Sequence, residues 1–269
     1  MTAIALPTLP RTGRVTQARI FVSEWTKLRS VRSTRWSLFV AFLFTTGIAA
    51  LATAVISHHW PHMSPGDRNG FHPLEPTFAG VQLAQLAIGV LGVLVISGEY
   101  STGMIRASMT AAPKRLPVLW GKAVVYGLTT LALMVPAAFI AFFVGQSVLS
   151  GRGIEAHLGD PGVLRAVFGA GLYLTVVGLF GLGLGAIVRN TAGGIALFAG
   201  IMFVLPPLMN VLPTSWNNAA SPYLPLQAGE RVLQTTGGTL GPWAGFGVLC
   251  GYAVASLAIA AVLLKRRDV

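Results

Sequence analysis

The sequence predicts an all-α membrane protein with six transmembrane helices, an N-terminal interfacial helix, and a short helix in the loop between the second and third spans. Three observations lead there. Of the 269 residues, 54% are apolar and only 10% are charged, a balance that a soluble domain with a solvated surface does not have. The apolar residues form blocks long enough to cross a bilayer, without the short alternating segments of a transmembrane β-barrel. Lys and Arg gather at the ends of these blocks, and mostly on one side of the membrane.

Residues 1–14, with Pro7, Pro10 and Gly13, read as a flexible leader. The first 35 residues contain no apolar core ending in a small-residue cleavage site, so the first span is expected to act as an uncleaved signal anchor. Residues 15–35 read as an interfacial amphipathic helix. Val15, Ala18, Phe21, Val22, Trp25 and Leu28 share one face, while Thr16, Arg19, Ser23, Glu24 and Lys27 share the other. A plain basic leader obeying the positive-inside rule is the alternative.

Residues 36–269 form a single six-helix transmembrane domain, with spans expected at 36–56, 78–96, 124–144, 167–188, 195–212 and 243–264. Fifteen of the Lys and Arg residues fall on the side of the N-terminus, the 97–122 loop and the C-terminus, against four on the other. That places both termini in the cytoplasm of a multi-pass plasma-membrane protein, with the bilayer as its first partner. The formal charge of +11 is thereby accounted for by orientation and headgroup contacts, so nucleic acid is not an expected partner.

The spans as drawn contain no Asp, Glu, Lys, Arg or His. Ion-coupled carriers use such groups near the midplane, so the energy source is expected to lie elsewhere. Gln82, Gln85, Thr129 and Thr175, with Thr45, Thr46 and Thr130, are candidates for a polar translocation path; the alternative is bonding to their own or neighbouring helices. Gly181 with Gly185, Gly241 with Gly245, and Gly247 with Gly251 have the spacing of close helix packing. Pro136 is expected to kink the third span, and Pro206-Pro207 to bend or end the fifth. A short helix at 226–234, started after Pro225 and stopped at Gly237-Gly238, is expected in the last outer loop.

Chemical motifs are few. His58, His59 and His62 have donor chemistry for a transition metal, but they lack i, i+4 spacing and a nearby carboxylate, so a solvated loop is expected instead. Cys250 stands alone and excludes a disulfide framework. There is no G-x-x-x-x-G-K-[ST] phosphate loop, nucleophile elbow or H-E-x-x-H helix, so no enzyme activity is expected on this chain.

The polar 97–122 segment carries a more specific pattern. Glu99-Tyr100-Ser101-Thr102-Gly103, then Ile105-Arg106 and Ala111-Ala112-Pro113-Lys114-Arg115, resembles the second-to-third-span loop of permease subunits in bacterial ABC exporters of the type-2 class. Ser23 to Ser30, with Glu24, Lys27 and Leu28, is similar to the start of such permeases, as is Tyr223-Leu224-Pro225 with Ala228-Gly229 before the last span. The resemblance implies a cytoplasmic coupling helix docked on a separately encoded ABC ATP-binding subunit, which holds the ATP and magnesium; none is expected on this chain. It also implies a second permease copy or a homologous permease, and a hydrophobic or amphipathic cargo. The residues it points to are Glu99, Tyr100, Thr102, Gly103, Ile105, Arg106, Met109 and Pro113.

The residues themselves fit a helix over 102–112. Ser101 or Thr102 can cap it, Ile105, Met109 and Ala112 share one face, and Pro113 ends it. Glu99, the one acid in the loop, is expected to pair with Arg106 or with a partner's basic residue, or to stand exposed at the helix start. The competing expectation for the whole chain is a non-transporting membrane sensor or assembly subunit that uses the same loop as a binding surface.

Overall fold

The computed structural model describes residues 16–101, 103, 115–211 and 213–266. Among these residues the chain is all-helical, with no strand, and six helices are long and apolar enough to cross a membrane. The leader and the 102–112 helix expected from the sequence lie outside the described residues.

Helix α1 (Gln17–Ser30) ends at Val31, which adopts an extended conformation with φ −76° and ψ 116°, and α2 (Arg32–His59) starts immediately after it. The 15–35 segment is therefore not one helix. Its last four residues, with Arg32 and Arg35, form the first turn of the first span. A β-branched residue at the break is easily held in the extended region. The burial of α1 departs from the sequence expectation at Glu24. Glu24, assigned to the solvated face, is buried with Leu28 against the bundle, while Phe21, Val22 and Trp25 stay exposed.

A short helix α3 (Pro65–Asn69), capped by Ser64 accepting from the Asp67 N–H, leads to α4 (Leu74–Ser101). Helix α5 (Arg115–Ser150) carries Pro136 in its interior, and α6 (Val163–Val188) follows. Each helix outruns the apolar stretch assigned to it, since a helix continues through polar residues wherever a neighbour satisfies them. This is how Glu99 and Lys122 come to belong to α4 and α5.

The fifth span, Thr191–Met209, is built from α7 (Thr191–Ala199), a widened turn at Gly200–Val204 and α8 (Leu205–Met209). The widening has a cause. Pro206 and Pro207 have no N–H, and their rings would crowd the carbonyls of Met202 and Phe203 in a regular helix; the Leu205 N–H instead reaches back to Gly200. The two prolines thus distort this span and leave it five residues beyond the distortion. Helices α9 (Thr214–Ala220) and α10 (Pro225–Glu230) follow, and a tighter turn at Arg231–Leu233 extends α10 over most of the expected 226–234 element. Gly237 and Gly238 then take φ of 69° and 102°, which only glycine adopts at low cost. Helix α11 (Pro242–Arg266) is the last span.

Helix α6 is the axis of the bundle: 72% of its apolar stretch is buried within the chain, against 22% for the first span and 33% for α11. Its glycines permit this. A Cβ at Gly181 would strike the Gly89 carbonyl of α4, and a Cβ at Gly92 would strike the Gly178 carbonyl of α6. In a bilayer such backbone-to-backbone contact supplies the dispersion energy that hydrophobic transfer cannot. The pair at Gly247 and Gly251 does not behave this way: Cβ atoms there would meet nothing within 4 Å, so the expected close packing of α11 is limited to Gly245, which abuts Ala228.

Candidate functional site

Four charged side chains converge where α1, the end of α4 and the start of α5 meet. Glu24 and Lys27 lie one turn apart on α1, Glu99 lies in the last turns of α4, and Lys122 lies two turns into α5. Lys122 Nζ donates to Glu24 Oε2 at 2.6 Å and to Glu99 Oε1 at 2.9 Å. Lys27 Nζ donates to Glu24 Oε1 at 2.7 Å and to the same Glu99 oxygen at 2.9 Å. Two carboxylates and two ammonium groups therefore alternate in a closed, neutral ring. Lys122, Glu24 and Glu99 are only 3%, 4% and 7% exposed. Charges can stay ionised at such burial only because each meets two opposite partners or donors. Burial pulls the Lys27 pKa down, but its hydrogen bonds to Glu24 and Glu99, and their charges, outweigh that and raise it.

Glu99 is thus turned inward. Its ion pairs run to Lys27 and Lys122 of its own chain, and its second oxygen, Oε2, is buried without a hydrogen-bond partner among the described residues. The exposed acid expected from the sequence gives way to a buried one. The expected partner Arg106 lies outside the described residues, as do Thr102, Ile105, Met109 and Pro113. Tyr100 is held as well: the Arg189 guanidinium lies 5.4 Å from its ring centre, and Arg189 also donates to the Leu263 carbonyl at 3.3 Å. The Ser101 hydroxyl donates back to the Gly98 carbonyl at 3.0 Å. Gly103 takes φ 71°, and its N–H reaches the Tyr100 carbonyl at 3.3 Å, turning the chain out of α4.

At the opposite, distal end of the bundle a second polar group forms. Tyr173 of α6 donates to Gln85 Oε1, Gln85 Nε2 donates to Gln82 Oε1 at 3.0 Å, and Gln82 Nε2 donates to Glu230 Oε1 at 2.5 Å. Gln85 follows Leu74 by eleven residues and Tyr173 follows Val163 by ten, so at 1.5 Å per residue both lie roughly 15 Å below the distal helix ends. Every donor in this chain points toward Glu230. Gln82 and Glu230 line a cleft of about 420 Å³ with Phe78, Leu233, His72 and Glu75. Burial raises the Glu230 carboxyl to about 7, more than its bond from Gln82 lowers it.

The two glutamines named from the sequence are therefore brought together, but the threonines are not. Thr129, Thr175, Thr45 and Thr46 each donate to the carbonyl four residues earlier in their own helix, at 2.7, 2.8, 2.8 and 3.0 Å. Of the three clustered histidines, His59 has its Nδ1 2.9 Å from the Val55 carbonyl. Sequence reasoning missed Glu24, Lys122, Tyr173 and Glu230 as site residues. A signal existed for two of them, Glu24 as the i, i+3 partner of Lys27 and Glu230 as the one acid of an otherwise uncharged short helix.

No protein-family model matches the chain, and no curated protein sequence matches it.

Proposed function

We propose that this chain is the transmembrane subunit of an ATP-driven ABC exporter of the type-2 class, moving a hydrophobic or amphipathic compound across a bacterial plasma membrane. A separate ATP-binding subunit docks on the 98–115 loop, two permease copies form the pathway, and both termini face the cytoplasm. The observation that supports this reading best is the closed ring of Glu24, Lys27, Glu99 and Lys122. It joins α1 to the two helix ends from which the 102–114 loop emerges. A push on that loop then moves three helices as one body, as a rigid-body switch between inward- and outward-facing states requires. The motif resemblance of the loop and of the 23–30 segment points the same way. No Asp, Glu, Lys, Arg or His lies in the middle of the described spans, which favours an external energy source.

The test is co-expression with the ATP-binding subunit that this reading requires. The pair co-purifies, and in proteoliposomes ATP drives movement of an amphipathic dye. Ile105→Asp abolishes stimulation of ATP hydrolysis by the permease while leaving the chain folded. Failure to associate, or full ATP-dependent transport by the Ile105→Asp and Glu99→Gln variants, would remove the proposal. Association without any transport would favour the sensor or assembly role instead.

A further inference from the structure

The distal cleft contains a carboxylate with no cation of its own. Glu230 forms no ion pair among the described residues. The basic groups nearest in the fold are engaged elsewhere: Arg231 donates to the Leu240 carbonyl at 3.3 Å and to Gln234 Oε1, and Arg165 donates to the Val232 and Gln234 carbonyls at 2.9 and 3.1 Å. One oxygen of Glu230 receives the end of the Tyr173–Gln85–Gln82 chain, and no described residue donates to the other. A chain of donors all pointing one way stabilises an anion at its end. A half-buried anion without a counter-charge leaves most of its desolvation cost uncompensated.

The walls around this carboxylate are of two kinds. Leu74, Phe78, Val81 and Leu233 supply an apolar side, and Glu75 adds a second, exposed acid at the rim. The volume of about 420 Å³ is that of a small-molecule site. A bare metal ion suits it poorly, because no three His, Cys, Asp or Glu side chains converge among the described residues. We propose that the cleft binds an organic cation with an apolar body, its ammonium group meeting Glu230 and its body lying against Phe78 and Leu233. This does not depend on the transport reading, since a sensor would present the same cleft. If the transport reading also holds, the cargo class narrows to cationic amphipaths.

Full-length protein in detergent, titrated with tryptamine by isothermal calorimetry, tests the inference without any ATP-binding subunit. Tryptamine binds, while its neutral isostere tryptophol and the anion indole-3-acetate bind at least tenfold more weakly. Glu230→Gln loses at least tenfold in tryptamine affinity and Glu75→Gln loses less. Because Glu230 is half ionised near pH 7, affinity rises about tenfold between pH 6 and pH 8. The other groups around it are Glu75 and His72 at the rim, Tyr173 at the far end of the chain, and Arg165 and Arg231 behind the turn. His72 is the one imidazole among them, so the pH series is repeated with His72→Gln, in which the rise persists. Equal binding of tryptamine and tryptophol, or a tryptamine affinity independent of pH in wild-type protein, overturns the inference even if Glu230→Gln fails to fold.

Discussion

Lys122 on α5 and Glu24 on α1 are 98 positions apart, and their side chains meet at 2.6 Å with 3% and 5% side-chain exposure. A surface pair of this kind would contribute little, but here each member is out of water and depends on the other. Lys122→Met leaves Glu24 and Glu99 sharing Lys27 alone, and it destabilises the protein by about 3–5 kcal/mol. The Glu24→Gln/Lys122→Met double variant loses less than the two single changes added together, by about 1–3 kcal/mol. Reversible unfolding in mixed micelles measures all four proteins. Simple additivity would mean that the ring is not an energetic unit.

Placement of the two sites on opposite faces gives a second expectation. In a Cys250→Ala background, Thr236→Cys at the distal cleft is labelled by an impermeant maleimide in intact cells. Gly103→Cys, at the turn out of α4, is labelled only after permeabilisation. The reverse pattern would invert the orientation drawn from the distribution of Lys and Arg and would place the loop beyond reach of any cytoplasmic ATPase.

The six spans were legible because a bilayer imposes a length and a polarity on each of them, and both are written locally in the chain. The ends of the helices were not. Glu99 and Lys122 look like loop residues until the helix ends bring them to Glu24, a contact set by the tilt and packing of three elements rather than by any local pattern. The helical spacing of Glu24 and Lys27 was visible, but whether that face met water or protein was not. Likewise Gln82 and Gln85 could be singled out as polar residues in an apolar span, whereas Tyr173 and Glu230, which give the chain its direction, are 88 positions from Gln85 and 148 from Gln82 respectively. Thr45, Thr46, Thr129 and Thr175 look similar in sequence, but their hydroxyls donate to the preceding turn of their own helices rather than to one another.

Packing along α6 is testable by single methyl groups. A Cβ at Gly92 would strike the Gly178 carbonyl and approach the Leu182 N–H at 2.9 Å, both of them backbone atoms that cannot swing aside. Gly92→Ala therefore costs about 1–3 kcal/mol. Gly251→Ala on α11, where the methyl meets nothing within 4 Å, is neutral or stabilising by up to about 1 kcal/mol. Thermal unfolding of the two variants in one detergent separates them, and equal stability would mean that α4 and α6 are not in backbone contact.

The last expectation concerns pH. Burial raises Glu230 from 4.5 to about 7, so between those values the folded protein holds a proton that the unfolded chain releases. With more protons bound in the folded state, stability falls as pH rises through this window and levels off above it. This is the reverse of a salt-bridged carboxylate, whose contribution grows with pH. Solvent reaching the cleft reduces the effect, leaving roughly 1–2 kcal/mol of loss between pH 5 and pH 8. Glu230→Gln keeps a neutral side chain of the same shape, so it flattens the slope and is the more stable protein at pH 8. Added tryptamine opposes the same slope in wild-type protein, because a cation that binds ionised Glu230 stabilises the folded state most where that ion is most abundant. Unfolding midpoints at four pH values, with and without tryptamine, carry the comparison; a wild-type midpoint as flat as that of the variant would show that Glu230 is solvated and titrates like a free carboxylate.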